Sequence, residues 1–266
     1  MLQEVTSVEH AEGDLSSSHM TLIRDRLESA YDVHVDQRWV EENSYYVVMC
    51  TRKGIFTKTP PIQVTCHMFE SSKMGRGYIV VEGTSAKAGR LAFITSHLES
   101  EGSGAAERKH QFSAIVDIIR QHALLNHVVV FGGDTNLREG EISSTVVAKK
   151  PIHEAKEREK ERAKDEVLDA KRKISDAFIQ AGADESKKFT WDMKRNDNLK
   201  VDWEFPPASR YDRVFLFGPS KRYPVCTKWD LLGKERLACK VFPSDHWGVL
   251  VDIQIPVLPS VERVTE

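Results

Sequence analysis

An α/β fold is predicted for this 266-residue chain by three observations: apolar β-like runs recur along it, amphipathic helical stretches lie among them, and acidic or histidine-bearing strings close several of the runs. Residues 1–5 read as the stub of a buried strand, and residues 20–30 carry Leu22, Ile23 and Leu27 at helical spacing. Strands are expected at 33–37, 45–53, 62–69, 78–83 and 90–96, punctuated by Gly54, Pro60-Pro61 and Gly75, which is the pattern of an antiparallel meander. Residues 105–121 place Phe112, Ile115, Val116 and Ile119 on one stripe, as in a surface helix packed on a sheet. The run His127-Val-Val-Val-Phe131 predicts a strand covered on both faces, delivering Gly132-Gly133-Asp134 at its end. A short helix is expected over 174–181, ending at Gly182, and strands over 212–217 and 247–255.

Residues 149–173 alternate charges without an apolar stripe. They predict a solvated helix held by pairs such as Glu154 with Arg158 and Asp169 with Lys173, inserted into one domain spanning 1–256. Residues 257–266 read as a disordered tail.

Composition narrows the class. Hydrophobic residues make up 40% and charged residues 29%, a globular balance. No apolar stretch reaches the ~18 residues of a membrane span and no secretory pattern opens the chain, so a soluble intracellular protein is expected. Cys50, Cys66, Cys226 and Cys239 are too scattered for a zinc knuckle or a disulfide framework. A net charge of −2 excludes a broadly basic nucleic-acid coat and leaves room for a local cationic groove.

Four strings carry the chemistry: Leu2-Gln3-Glu4-Val5, Ser96-His97-Leu98-Glu99, Gly133-Asp134-Thr135-Asn136 and Ser244-Asp245-His246. Metal-assisted phosphodiester hydrolysis needs a carboxylate for a hard cation, a carboxylate to take a proton from water, an amide and imidazoles. Glu4 is the candidate magnesium ligand, because that ion keeps several waters and needs few carboxylates. Asp134 and Asn136, two apart on an extended segment, would share a side, one deprotonating water and the other orienting it. Asp245 would set the charge or tautomer of His246, and His246 with His97 would neutralise two non-bridging phosphoryl oxygens.

In this order the strings resemble the endonuclease/exonuclease/phosphatase family. The resemblance implies a four-layer α/β sandwich of two central sheets flanked by helices. Their flanks, Gly104-Ala105-Ala106-Glu107-Arg108, Thr135-Asn136-Leu137-Arg138, Phe189-Thr190-Trp191-Asp192 and Phe242-Pro243-Ser244-Asp245-His246-Trp247-Gly248, look like the branch that frees DNA 5′ ends from tyrosyl adducts. That branch implies magnesium, with manganese as a substitute, and a topoisomerase II remnant on a DNA 5′ phosphate as substrate. It also implies double-strand break repair in the nucleus or cytoplasm. By the same resemblance Glu4 would hold the metal, Asp134 would act as base, and His246 would stabilise the transition state. Asp245, Asn136 and His97 would complete the pocket. Arg138, Arg76, Trp191, Tyr45, Tyr211 and Ser100 would meet the substrate. The family's Asn-bearing first strand has no counterpart before Leu2, so an incomplete sheet is expected. Two other readings fit the same strings: a family member acting on abasic sites, RNA or phosphoinositides, and a catalytically impaired homologue that binds DNA ends or protein.

Overall fold

The computed structural model describes residues 1–6, 19–42, 45–143, 146–148, 173–199 and 203–257. The charged segment expected to be helical and nearly all of the tail fall outside them, as do the side chains of Glu4 and Tyr45. In chain order the elements are β1 (Leu2–Thr6), α1 (His19–Leu27), β2 (Tyr31–His34), α2 (Gln37–Glu42), β3 (Tyr45–Arg52), β4 (Gln63–Met68), β5 (Gly77–Ser85), β6 (Gly89–Ser96) and α3 (Ala105–Leu124). Then come β7 (Val128–Asp134), β8 (Val147–Ala148), β9 (Ile174–Asp176), α4 (Ala177–Gln180), β10 (Trp191–Asp192), β11 (Ala208–Ser209), β12 (Asp212–Phe217), β13 (Val225–Leu232) and β14 (Gly248–Gln254).

A seven-stranded sheet of order β4-β5-β6-β7-β12-β9-β8 forms the centre. Side-chain alternation divides its residues between two cores. On one face Val80, Ala92, Ile94, Val129, Phe131, Phe215 and Phe217 pack with Phe112, Ile115 and Ile119 of α3. On the other, Ile79 and Val81 meet Val5, Tyr46 and Val48 of a three-stranded sheet, β1-β3-β2. Beside that sheet, Val130, Val214 and Leu216 meet Cys226 and Trp229 of the β13-β14 pair. With α1 and α2 against the three-stranded sheet, the order is helix, sheet, sheet, helix. The parallel pair β6 and β7 is joined through α3, because parallel neighbours need a crossover.

Three expectations are corrected and one strand is added. The meander is split: β4, β5 and β6 are consecutive antiparallel neighbours, while β2 and β3 pair within the smaller sheet. The expected strand over 33–37 stops at His34, because the Asp36 carboxylate accepts the Arg38 N–H at 2.9 Å and caps α2. The expected helix over 174–181 begins as strand. Ile174–Asp176 pairs with β8 and β12 before the Asp176 carboxylate caps α4 through the Phe178 N–H at 3.0 Å. Val225–Leu232, unassigned from the sequence, is a full strand paired with β14.

Candidate active site

The carboxyl ends of β6 and β7, the start of β12 and the loop before β14 meet at one pole. Asp134 ends β7 and Asp212 opens β12, and the two are direct partners across the antiparallel ladder. Both lie on the face shared by Val130 and Val214, away from α3. Like charges placed opposite each other repel, so this pair calls for positive charge nearby.

His246 supplies part of it. Its Nδ1 lies 2.7 Å from Asp212 Oδ2, and its Nε2 lies 4.0 Å from Asp245 Oδ2. Burial opposes charge on this ring. The Asp212 hydrogen bond and the charges of Asp212, Asp134 and Asp245 outweigh it, so the imidazole pKa is pushed up to about 9. Its loop is pinned at several points. Asn196 Nδ2 donates to the Ser244 carbonyl at 2.9 Å, the Trp247 N–H donates to the Thr190 carbonyl at 2.7 Å, and His246 forms a β-bridge with Trp191. Asp212 rather than Asp245 therefore fixes this histidine. The sequence reading missed Asp212, although an Asp after Tyr211 at the head of an apolar strand was a usable signal.

His97 lies behind Asp134. Arg76 Nη1 lies 2.9 Å from His97 Nδ1, and a guanidinium can only donate. The ring nitrogen must accept there, which puts its proton on Nε2, 3.3 Å from Asp134 Oδ2. With 4% of its surface exposed, His97 is enclosed between Arg76 and Asp134. Arg76 is buried to the same degree and holds His97. It lines a small hollow with Trp39, Tyr46, Val47, Gly75, Gly77 and His97.

Asp134 is oriented from two sides. Its Oδ1 accepts the Asn136 N–H at 2.9 Å, while Oδ2 faces His97. Burial works against the carboxylate, yet His97, His246 and the Asn136 amide hold its pKa below the usual range. Asn136 is not extended: at φ 50° it closes a turn over Asp134, and its side-chain amide donates to the Leu98 carbonyl at 3.2 Å. It reaches the site through this turn and not through strand alternation. Gly133 is obligatory here, since an added Cβ would collide with the Ser96 carbonyl oxygen.

The rim is aromatic and basic. Tyr211 stacks obliquely between Trp191, at 5.6 Å, and His246, at 6.3 Å. Arg138 keeps 46% of its side-chain surface exposed and stands 3.7 Å from Glu141. Ser100 is half-buried, with its hydroxyl on Met74 Sδ at 3.2 Å. Beneath the rim, fully buried Arg108 grips Glu141 at 2.7 and 3.0 Å and the carbonyls of Glu99 and Glu101.

A hard cation fits the donors present. Asp134, Asp212, Asp245 and the Gln3 amide offer oxygen and no thiolate, as magnesium prefers. Gln3 Nε2 donates to Thr95 Oγ1 at 3.0 Å, leaving its Oε1 buried without a hydrogen-bond partner. The register of β1 on β3 shifts between Leu2 and Val5, a bulge that spans Gln3 and Glu4 and breaks their simple alternation.

This arrangement has relatives. The profile of endonuclease/exonuclease/phosphatase family 2 matches residues 2–252. The chain belongs to that family. It is 33% identical to tyrosyl-DNA phosphodiesterase 2 of Rattus norvegicus over 190 residues, covering 70% of this chain and 44% of the relative. It is 31% identical to the 5′-tyrosyl-DNA phosphodiesterase of Caenorhabditis briggsae over 229 residues, 85% of this chain and 54% of that one. The solved structure of TDP2 from Caenorhabditis elegans superposes with a TM-score of 0.67 at 26% identity, covering 93% of this chain and 61% of its own. The chain thus spans about half the length of the curated relatives it matches. The similarity supports the four-layer α/β class.

Proposed function

We propose that this chain hydrolyses the ester between a tyrosine and the 5′ phosphate of DNA, with magnesium as its metal. The observation that carries the reading is the convergence of Asp134, Asp212, His246 and His97 at one pole, in a chain similar to tyrosyl-DNA phosphodiesterases.

Glu4, with oxygen donors of this pole, would hold the ion. When bound, magnesium polarises the phosphoryl oxygens and acidifies water. Trp191 and Tyr211 offer aromatic faces to terminal bases, which stack on them whatever their identity. Arg138 faces the backbone phosphate. Asp134, kept ionised and oriented by His97, aligns the attacking water on the side of phosphorus away from the tyrosyl oxygen. His246 is charged below about pH 9 and donates to a non-bridging oxygen as negative charge grows there. The water oxygen bonds to phosphorus as its proton passes to Asp134, the bond to the tyrosyl oxygen breaks, and the phenolate leaves with the electron pair and takes a proton from solvent. A phenol of pKa ≈10 is a good leaving group, so no strong general acid is needed. The products are a 5′ phosphate and tyrosine. A topoisomerase II remnant at a double-strand break in the nucleus is the substrate this chemistry suits.

Incubation of the chain with magnesium and a 5′-phosphotyrosyl oligonucleotide is expected to release a 5′-phosphorylated product, and chelation to stop it. Cleavage of a phosphoinositide or an abasic duplex instead would move the chain to another branch. Tight binding of DNA ends without turnover would make it an impaired homologue.

A further inference from the structure

At the opposite end of the central sheet, Glu82, His122 and His127 converge. Asp134 closes β7, whereas His127 immediately precedes it, so the two clusters lie roughly 20 Å apart at strand rise. They also occupy opposite faces. Glu82 shares the parity of Val80 on the α3 side, and His122 sits in the last turn of α3. Three separate elements thus present one side chain each to a single point.

Hydrogen bonding leaves this point unsatisfied. His127 Nδ1 lies 3.1 Å from the His122 carbonyl, which can only accept, so Nδ1 carries the proton and Nε2 bears a lone pair. That lone pair faces Glu82 Oε2 at 3.4 Å. Two acceptors at this distance need a proton or a cation between them. His122 Nδ1 is buried 3.3 Å from the same Oε2 and makes no hydrogen bond. Nearby Arg90 directs Nη1 to the Leu125 carbonyl at 3.3 Å.

The geometry points to a site for a divalent transition metal of the zinc class, held by Glu82, His122 and His127 with water completing four ligands. The three ligand atoms lie within 4.8 Å of one another. Ligands 2.0–2.1 Å from zinc at tetrahedral angles stand roughly 3.3–3.4 Å apart, which is the spacing of Glu82 Oε2 from both nitrogens. A histidine that donates its other N–H to a backbone carbonyl is the usual support of a metal-bound imidazole. Two imidazoles select zinc-like ions over magnesium, so the ion differs from the one proposed at the catalytic pole.

The test strips the full chain with a chelator and titrates it with cobalt(II), whose visible absorption reports four-coordinate ligation, followed by competition with zinc(II). One equivalent with the four-coordinate spectrum is expected, displaced by zinc and lost in both His122→Gln and His127→Gln. Glu4→Gln, at the other pole, should leave it intact. No binding by the parent chain, or binding that persists in both variants, overturns the site. Should a variant fail to fold, long-range proton–nitrogen spectra of the unaltered protein give the second readout. Zinc should then shift Nδ1 of one histidine and Nε2 of another, and no shift would overturn the assignment.

Discussion

Asp212 stands opposite Asp134 across the β7–β12 ladder, and only the first of them holds His246 directly, at 2.7 Å. The two carboxylates share a face but divide the work: one charges a histidine, the other is oriented by one.

Asp212→Asn should therefore act through His246. Without the carboxylate, the imidazole pKa falls from about 9 toward its ordinary value of 6.5. The alkaline limb of the pH profile of turnover should move to lower pH, with the larger loss near pH 8 than near pH 6. Stability follows the same sign. A raised folded pKa gives stabilisation that is fully present below about 6.5 and disappears as pH rises through about 9. Unfolding measured across that range should show the parent losing an advantage the variant lacks.

Asp134→Asn preserves shape and removes the negative charge. Turnover on a phosphotyrosyl oligonucleotide should drop by about 10²–10⁴-fold with substrate affinity largely kept. Because the Asp134 pKa is held down in the fold, its stabilisation is present above the ordinary value of 3.8 and is lost as pH falls through the folded one. Acid unfolding should start at higher pH in the parent than expected for a protein without such a group. Unchanged turnover in the variant would argue for an impaired homologue.

Arg108→Met tests the scaffold. The arginine is fully buried, and its removal takes donors from Glu141 and from the carbonyls of Glu99, Ser100 and Glu101. A loss of about 3–5 kcal/mol is expected in urea unfolding, the usual cost of breaking a buried pair. Activity at low temperature should survive in the folded fraction.

Trp191→Ala should weaken binding of single-stranded ends by about 1–3 kcal/mol, read as a rise in KM with little change in kcat. The effect should not depend on the terminal base. A kcat loss equal to the KM change would instead mean that Trp191 acts through its bridge to His246.

The strong strands and α3 were legible because burial leaves a period in the sequence. The continuous apolar run 127–131 and the stripe of Phe112, Ile115, Val116 and Ile119 are visible before any coordinates. Partition between sheets was not, since β2, β3 and β4 read alike and only tertiary pairing separates them. Capping by Asp36 and Asp176 overrode the local pattern at two boundaries. Asp134, Asn136, His246 and Asp245 were candidates from strings at strand ends. The partnership of Asp212 with His246 joins residues 34 apart, and the burial of Arg76 behind His97 joins residues 21 apart. No short string encodes such pairs.

The facing positions of residues 134 and 212 also limit how this chain can change length. Loss of one residue within Phe215–Phe217 would reverse the parity of everything before it, turning Asp212 toward α3 and leaving His246 without its anchor. Loss of two would restore parity while shortening the ladder. Single insertions and deletions that preserve the chemistry should therefore gather in the turns, and those inside the paired strands should come in twos.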